Sequence, residues 1–535
     1  MNSAKDLKKL QNGSDIRGIA LEGVEGETPN LGTDEAKLLS LGFLLWLSQK
    51  TGKKPEDLTI SIGRDPRVSG ANLLSAAACT LMSYGVRVID SGLASTPAMF
   101  MSTVFPEFKC DGAFMITASH LPFNRNGFKY FDKNGGLNKG DIKQIIEFAE
   151  SPLKTESLLG PHITCDCCGS AAATKEGLSP LMERYCAHLR EMIKKEICEG
   201  LKADPNTAAM AGDVAFCEKP LSGLHIVVDA GNGSGGFYAA NVLEPLGANT
   251  SGSLYLDPDG LFPNHAPNPE NKAAMRAIST AVVDAGADLG IIFDTDVDRS
   301  AAVDEQGREI ARNGIVAMAA ALISDEHCGS TVVTDSITSN QLTAFLEDTL
   351  KLKHLRFKRG YKNVINKAIE LNEAGTNCQL AIETSGHAAY KENYFLDDGT
   401  YLASKIVIKT ALLNAQGKKI SSIIESLAEP LEAREVRFPI TAEDFGSYGD
   451  KVIADLEAFA SEGILDISLV QPNYEGVRIN FGKDCGNGWC LLRKSLHDPI
   501  MPLNIESDSE GGSEIIANIM RDFLAPYDQL DISKL

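Results

Sequence analysis

The sequence predicts an α/β protein of several domains, ending in a separate, smaller α+β domain. Three observations predict it. The chain has 535 residues, more than one hydrophobic core normally serves. Short apolar runs of strand length alternate with helical patterns through its first four-fifths. From about Arg434 the pattern changes to strands with fewer helices. Composition fits a globular chain, with 43% hydrophobic and 23% charged residues.

In order along the chain, residues 58–62 (LTISI) predict a strand, 70–83 a helix of small residues, and 86–89 the next strand. Residues 178–197 carry apolar side chains at helical spacing and predict a linking helix. The following 202–223, rich in Asp, Pro, Gly and Ala, read as an inserted loop. Residues 224–229 predict a strand that ends in Gly231-Asn232-Gly233, and 235–246 a helix. That glycine turn lacks the GxGxxG context of a first βαβ unit and is not read as a dinucleotide site. Residues 289–293, 330–334 and 379–383 predict strands, and 315–324 and 339–350 helices. In the last part, 435–439, 476–481 and 489–493 predict strands. No solenoid period is evident.

Four segments carry chemistry. In 116–131 (ITASHLPFNRNGFKYF), Ser119 leaves an apolar run beside His120, with Pro122, Asn124, Asn126 and Gly127 making a surface turn and Lys129 beyond it. A serine hydroxyl is a weak nucleophile until a neighbour activates it or it carries a transferable group; the competing reading is a strand exit whose serine is a cap. In 289–307 (LGIIFDTDVDRSAAVDEQG), Asp294, Asp296 and Asp298 follow a buried strand at a spacing of two. In extended backbone alternate side chains share a face. Three carboxylates together call for a cation, and a hard divalent ion such as Mg²⁺ suits all-oxygen ligands. An EF-hand loop would need glycine where Arg299 stands; a solvated acidic turn is the other alternative.

In 381–403, Glu383, Ser385 and His387 alternate around Gly386, an acceptor, a hydroxyl and an imidazole suited to sugar hydroxyls. A local hydrogen-bond cluster reads the same way. In 488–507, Arg493 and Ser495 leave an apolar run before His497 and a proline-bounded loop, a donor set suited to phosphate.

These four segments, in this order, resemble the phosphohexomutases, the group of phosphoglucomutase and phosphomannomutase. Residues 117–120 (TASH) resemble the phosphoserine loop, 294–299 (DTDVDR) the metal loop, 383–387 (ETSGH) the sugar-binding loop and 493–495 (RKS) the start of the phosphate-binding loop. Further matches stand at 13–18 (GSDIRG), 63–70 (GRDPRVSG), 227–233 (VVDAGNG) and 259–269 (DGLFPNHAPNP).

The resemblance implies four domains around a central cleft: 1–198 with the phosphoserine loop, 199–312 with the metal loop, 313–430 with the sugar loop and 431–535 with the phosphate loop. It implies interconversion of hexose 1-phosphate and hexose 6-phosphate through a phosphoserine and a hexose 1,6-bisphosphate intermediate. Ser119 is then the nucleophile, and Lys129, Arg17 and His387 are the acid/base candidates. Ser119, Asp294, Asp296 and Asp298 hold Mg²⁺. His120, Arg299, Gly360, Glu383, Ser385, Arg493, Ser495 and His497 bind substrate. A base role for Lys129 requires a lowered pKa. Phosphoglucosamine mutase, and a mutase-like module without catalysis, are the alternatives.

The chain departs from the family pattern at Ser14, Leu121, the 359–362 stretch, and Leu496-His497-Asp498. The resemblance implies that these positions face the ligand, so the preferred hexose is not implied by it.

The remaining features exclude other classes. A net charge of −21 disfavours nucleic acid, which needs a basic surface. No run of about 18 apolar residues suits a membrane span, and the N-terminus carries no apolar signal core. A cytoplasmic monomer or weak dimer acting on hexose phosphate is expected. Cys165, Cys167 and Cys168 with His162 lack the second paired element of a structural zinc site, so scattered thiols are the preferred reading.

Overall fold

The computed structural model describes residues 6–160, 178–463, 465–495 and 498–535. They form two compact units, Met1–Leu322 with Ser385–Ile423, and Ile323–Thr384 with Ile424–Leu535.

The first unit holds two main sheets. In the first, the strands run in the order Gln11–Asn12, Asp15–Ile19, Arg125–Asp132, Gly112–Ile116, Thr59–Arg64, Arg87–Leu93. Thr59–Arg64 is parallel to both of its neighbours, while Gly112–Ile116 and Arg125–Asp132 are antiparallel, with Ile116 opposite Phe128. Residues 117–124 therefore connect a hairpin and present Ser119 at its end. Met115 pairs with Lys129 in this register, so Lys129 sits one step back from the loop. Helices Thr33–Thr51, Gly70–Met82 and Lys139–Ala149 cover the sheet, burying Phe43, Phe114, Ile145 and their neighbours in one core.

The second sheet runs Glu309–Ile310, Ser300–Asp304, Leu289–Phe293, Ile226–Asp229. Leu289–Phe293 is buried at every position. It turns back antiparallel into Ser300–Asp304 with Phe293 opposite Ser300, so 294–299 are the turn of a hairpin. The hairpin of Ala388–Tyr390 and Leu396–Asp397 and the helix Gly399–Ala415 also belong to this unit. The linking helix is longer than predicted, Pro180–Ala203, N-capped by the Ser179 hydroxyl.

In the second unit, Thr331–Thr334 lies between two parallel neighbours, Lys353–Arg356 and Cys378–Ile382, with helix Tyr361–Glu373 beside them. The C-terminal part is an antiparallel sheet in the order Glu432–Pro439, Ile500–Ser507, Gly488–Leu492, Val477–Phe481, Ile467–Leu469. Helices Phe445–Ser461 and Gly512–Leu524 pack on it around Phe438, Leu456, Ile505 and Met520. This is the α+β module that the change of pattern predicts.

Three local expectations are corrected. Residues 235–246 are not one α-helix. A wide π-helical turn, Tyr238–Leu243, runs into a 3-10 turn, Glu244–Leu246, because Pro245 has no N–H for an α-helical ladder. Residues 339–350 are likewise split, an α-helical Asn340–Ala344 widening into a π-helical Phe345–Thr349. The stretch read as an inserted loop holds two short helices, Ala208–Ala211 and Val214–Glu218; Asp213 caps the second by accepting from the N–H groups of Ala215 and Phe216. The Cys165–Cys168 stretch and His162 lie outside the described residues. No disulfide links the described cysteines, and no described helix is long and apolar enough to cross a membrane.

Candidate active site

Ser119 stands in the left-handed region at φ 50°, where a residue with a Cβ is uncommon and tends to mark function. Its N–H donates to Thr117 Oγ1 at 2.9 Å. Its hydroxyl donates to Asp294 Oδ2 at 2.9 Å, so the end of the first hairpin meets the turn of the second.

The three aspartates do converge, but not on the face of an extended strand. They occupy the hairpin turn, where Val297 takes φ 68°. The turn folds the chain back on itself, so ligand oxygens of Asp294, Asp296 and Asp298 lie within 4.8 Å of one another. All three residues are buried. Asp296 Oδ1 and Asp298 Oδ1 are buried and have no hydrogen-bond partner among the described residues. Buried carboxylate oxygens are rarely left so, and a hard divalent cation is the group that such donors suit. The residues therefore fit Mg²⁺. Burial and then the charges of Asp298 and Asp296 push the Asp294 carboxyl up to about 7, as crowded carboxylates require. Asp298 is held low instead: burial opposes its charge, but Lys129, His387 and Arg299 outweigh it.

Cations crowd this cluster. Lys129 Nζ donates to Asp296 Oδ2 at 2.8 Å and also to Asp298 Oδ2. Burial works against its charge, yet the two carboxylates hold its pKa well above the usual lysine value. The lowered value that a base role requires is therefore not what this geometry produces. Arg299 is 1% exposed; it pairs with Asp294 at 3.3 Å and donates to His120 Nδ1 at 2.7 Å. His120, which also lies 3.5 Å from the Ser119 hydroxyl, is held neutral. Burial, Arg299 and Arg17 bring its pKa down to about 3. Arg17 donates to the Thr117 carbonyl at 2.6 Å and pairs with Asp15 at 2.7 Å.

His387 is bridged to Arg299 by main-chain pairing, and its Nδ1 lies 2.5 Å from Asp397 Oδ2 and 3.9 Å from Asp298 Oδ1. Burial disfavours its charge, but Asp397 and Asp298 raise the imidazole to about 9. The alternation read at Glu383, Ser385 and His387 does not hold as a shared face, because 383–386 form a turn rather than a strand. Gly386, at φ 94°, presses against Ser300, where an added Cβ would lie 2.5 Å from the Ser300 carbonyl oxygen. Ser385 Oγ is buried without a hydrogen-bond partner among the described residues.

The second unit carries the remaining substrate-binding candidates. Glu383 accepts the N–H of Gly360 at 2.6 Å, at the start of helix Tyr361–Glu373. Arg493 is largely buried with its Nε unpartnered among the described residues; burial and then Arg359 lower its pKa. Ser495 Oγ accepts from Asp498 N–H at 3.2 Å. His497 lies outside the described residues.

Sequence reasoning missed two members. Thr96 donates to Asp296 Oδ2 at 2.5 Å, and its Ser-Thr-Pro context signals only a helix start. Asp397, the partner of His387, lies in the FLDDGT stretch but is separated in sequence by a hairpin.

Three domain models of one family match the chain. They are described as phosphoglucomutase/phosphomannomutase alpha/beta/alpha domain I over residues 8–154, domain II over 207–307 and domain III over 312–431. A phosphomannomutase/phosphoglucomutase of Pseudomonas putida is 25% identical, covering 95% of this chain and 93% of its own. A phosphoglucomutase/phosphomannomutase of Thermococcus kodakarensis is 29% identical, covering 92% of this chain and 94% of its own. Among solved structures, a phosphoglucomutase/phosphomannomutase family protein of Burkholderia thailandensis superposes with a TM-score of 0.73 at 23% identity, covering 98% of each chain. Parafusin, a phosphoglucomutase of Paramecium, gives a TM-score of 0.63 at 15% identity over 92% of this chain and 90% of its own. With its three matched domains covering more than half of its length, the chain belongs to the alpha-D-phosphohexomutase family, the phosphoglucomutases/phosphomannomutases.

Proposed function

We propose that this enzyme interconverts hexose 1-phosphate and hexose 6-phosphate, with Ser119 as the residue that carries the transferred phosphate. The observation that carries the reading is the Ser119 hydroxyl, 2.9 Å from Asp294 inside a buried cluster of three carboxylates, the Arg299 guanidinium and Lys129. Phosphoryl transfer needs positioning and charge neutralisation more than covalent chemistry, and this cluster supplies both.

Asp294, Asp296 and Asp298, with an oxygen on Ser119, would hold Mg²⁺. When bound, that ion supplies charge neutralisation and a fixed point for a phosphoryl oxygen. The protein residues do the rest. Arg299, pinned by Asp294 and by neutral His120, presents a guanidinium next to the Ser119 hydroxyl, 3.4 Å away. His387, kept protonated by Asp397, and the Lys129 ammonium are proton donors at neutral pH, the state a general acid requires. In the return step, in which the sugar gives its other phosphate back to Ser119, the serine proton goes back to the group that protonated Ser119 in the first transfer and was left deprotonated by it; Lys129, Arg17 and His387 are the proposed candidates. Gly360, Glu383 and Ser385 are proposed to bind the sugar, and Arg493, Ser495 and His497 the phosphate that is not reacting. The division into domains 1–198, 199–312, 313–430 and 431–535, a cytoplasmic setting and a monomer or weak dimer complete the reading.

The test is Ser119→Ala. Mutase activity on glucose 1-phosphate and mannose 1-phosphate should fall at least about a thousandfold, and the single added phosphate expected in the intact mass of the wild type should be missing from the variant. Turnover near the wild-type rate in the alanine variant would refute the phosphoserine reading.

A further inference from the structure

Arg67 follows the strand Thr59–Arg64 and is 1% exposed. A guanidinium offers five N–H donors in one rigid plane, and here each is engaged. Nε donates to Asp65 Oδ2 at 3.0 Å. Nη1 donates to the carbonyls of Pro122 at 2.6 Å and Arg125 at 3.1 Å. Nη2 donates to the carbonyl of Leu121 at 2.6 Å and to that of Ser119. Apart from Asp65, all of these acceptors are main-chain oxygens of the loop that carries the nucleophile or of Arg125, the strand residue that follows it.

The carboxylate partner is tied to the same loop. Asp65 accepts the Arg67 N–H at 2.9 Å and the Thr117 hydroxyl at 2.7 Å, and that hydroxyl accepts the N–H of Ser119 at 2.9 Å. On another side the Phe262 ring centre lies 5.1 Å from the guanidinium carbon. Ser119 needs such support, because φ 50° is costly for a residue with a Cβ. Carbonyl oxygens bound to Arg67 are also not free to face an anionic phosphate.

We propose that Arg67 is the positioning residue of the phosphoryl-transfer loop: it fixes Ser119 by gathering the carbonyls of Ser119, Leu121, Pro122 and Arg125, and does not itself touch substrate. The proposal rests on Ser119 being the phosphate carrier. Lysine cannot replace Arg67, since its three donors radiate from one nitrogen.

The experiment uses the full chain with Arg67→Lys, Arg67→Gly and Thr117→Val, read by amide hydrogen exchange and by mutase kinetics on glucose 1-phosphate. In Arg67→Lys, exchange across 119–125 should speed up at least about tenfold while strand Gly112–Ile116 keeps its protection. The kcat should fall about 100-fold with KM changed less than about threefold, the split expected of a displaced reacting group. Methylguanidinium should restore part of the kcat of Arg67→Gly. Thr117→Val should give the same pattern more weakly, and it carries the test if Arg67→Lys does not fold. A kcat within about threefold of wild type in both Arg67→Lys and Thr117→Val would overturn the proposal. So would exchange that rises across the whole unit without rescue, which marks a general stabiliser. An active Ser119→Ala would sink the nucleophile assignment separately, and the exchange in 119–125 would still decide whether Arg67 holds the loop.

Discussion

The Nδ1 atom of His387 lies 2.5 Å from Oδ2 of Asp397. Burial disfavours charge on both, and the hydrogen bond between them offsets part of that cost. Asp397 is pushed up to about 6 by burial, against the pull of His387. His387 stands at about 9 because Asp397 and Asp298 outweigh its burial.

Asp397→Asn removes the larger of the two charges that keep His387 protonated. The imidazolium is then less stable, and its pKa falls. If His387 donates a proton, the alkaline limb of the kcat profile, expected near pH 9 in the wild type, should move down by about one unit or more in the variant. Superimposable kcat–pH profiles for the two proteins would remove His387 from the acid role.

The unpartnered oxygens of Asp296 and Asp298 make metal removal informative. Adding Mg²⁺ to chelator-treated protein should raise its melting temperature, since a ligand that binds only the folded state stabilises it. Asp296→Asn should reduce that shift and raise the Mg²⁺ concentration for half-maximal activity at least about tenfold. Equal melting temperatures of the wild type with and without Mg²⁺ would count against the site.

Gly386→Ala tests the sugar loop. The alanine methyl would meet the Ser300 carbonyl at 2.5 Å from a backbone at φ 94°. The loop must shift, and His387 shifts with it. We expect a loss of about 1–3 kcal/mol in unfolding free energy and a larger proportional loss in kcat than in stability. Wild-type kcat in a stable Gly386→Ala variant would show that this contact is not needed.

Glu506, in the C-terminal sheet, provides a separate stability test. Burial pushes its carboxyl up to about 7, and neither the Trp489 N–H, 2.9 Å from Oε2, nor the Arg478 charge offsets it. A carboxyl whose pKa is raised by folding binds protons more tightly in the folded state. Its contribution is fully present below the ordinary value near 4.5 and is lost as pH rises through about 7. Glu506→Gln should therefore gain melting temperature relative to wild type between pH 5 and pH 8. A difference that is constant across that range would refute the assignment.

Much of the site was legible because its chemistry sits in short segments. Ser119, Lys129 and the three aspartates each declare themselves by residue type and spacing, and the structure brings them together. The errors arose where spacing was converted to direction. Period-two spacing puts side chains on one face only in extended chain, but Val297 at φ 68° and Gly386 at φ 94° turn both loops. The aspartates still converge, whereas Glu383 goes to Gly360 and His387 to Asp397. The proline at 245 was readable as a break in its helix, and the Asp213 cap as a helix start.

The sequence by itself determined the α/β order, the C-terminal α+β module and the candidates for the reacting groups, since these follow from local periodicity and from the side chains available. Only the tertiary structure decided their protonation and their partners. Lys129 is held as an ammonium because Asp296 and Asp298 outweigh its burial, and His120 is held neutral by burial and then by Arg299 and Arg17. Arg67 serves the serine loop because that loop's carbonyls happen to close around it. Such effects depend on distance and on burial in a low-dielectric interior, and neither is written in the spacing of residues along a chain.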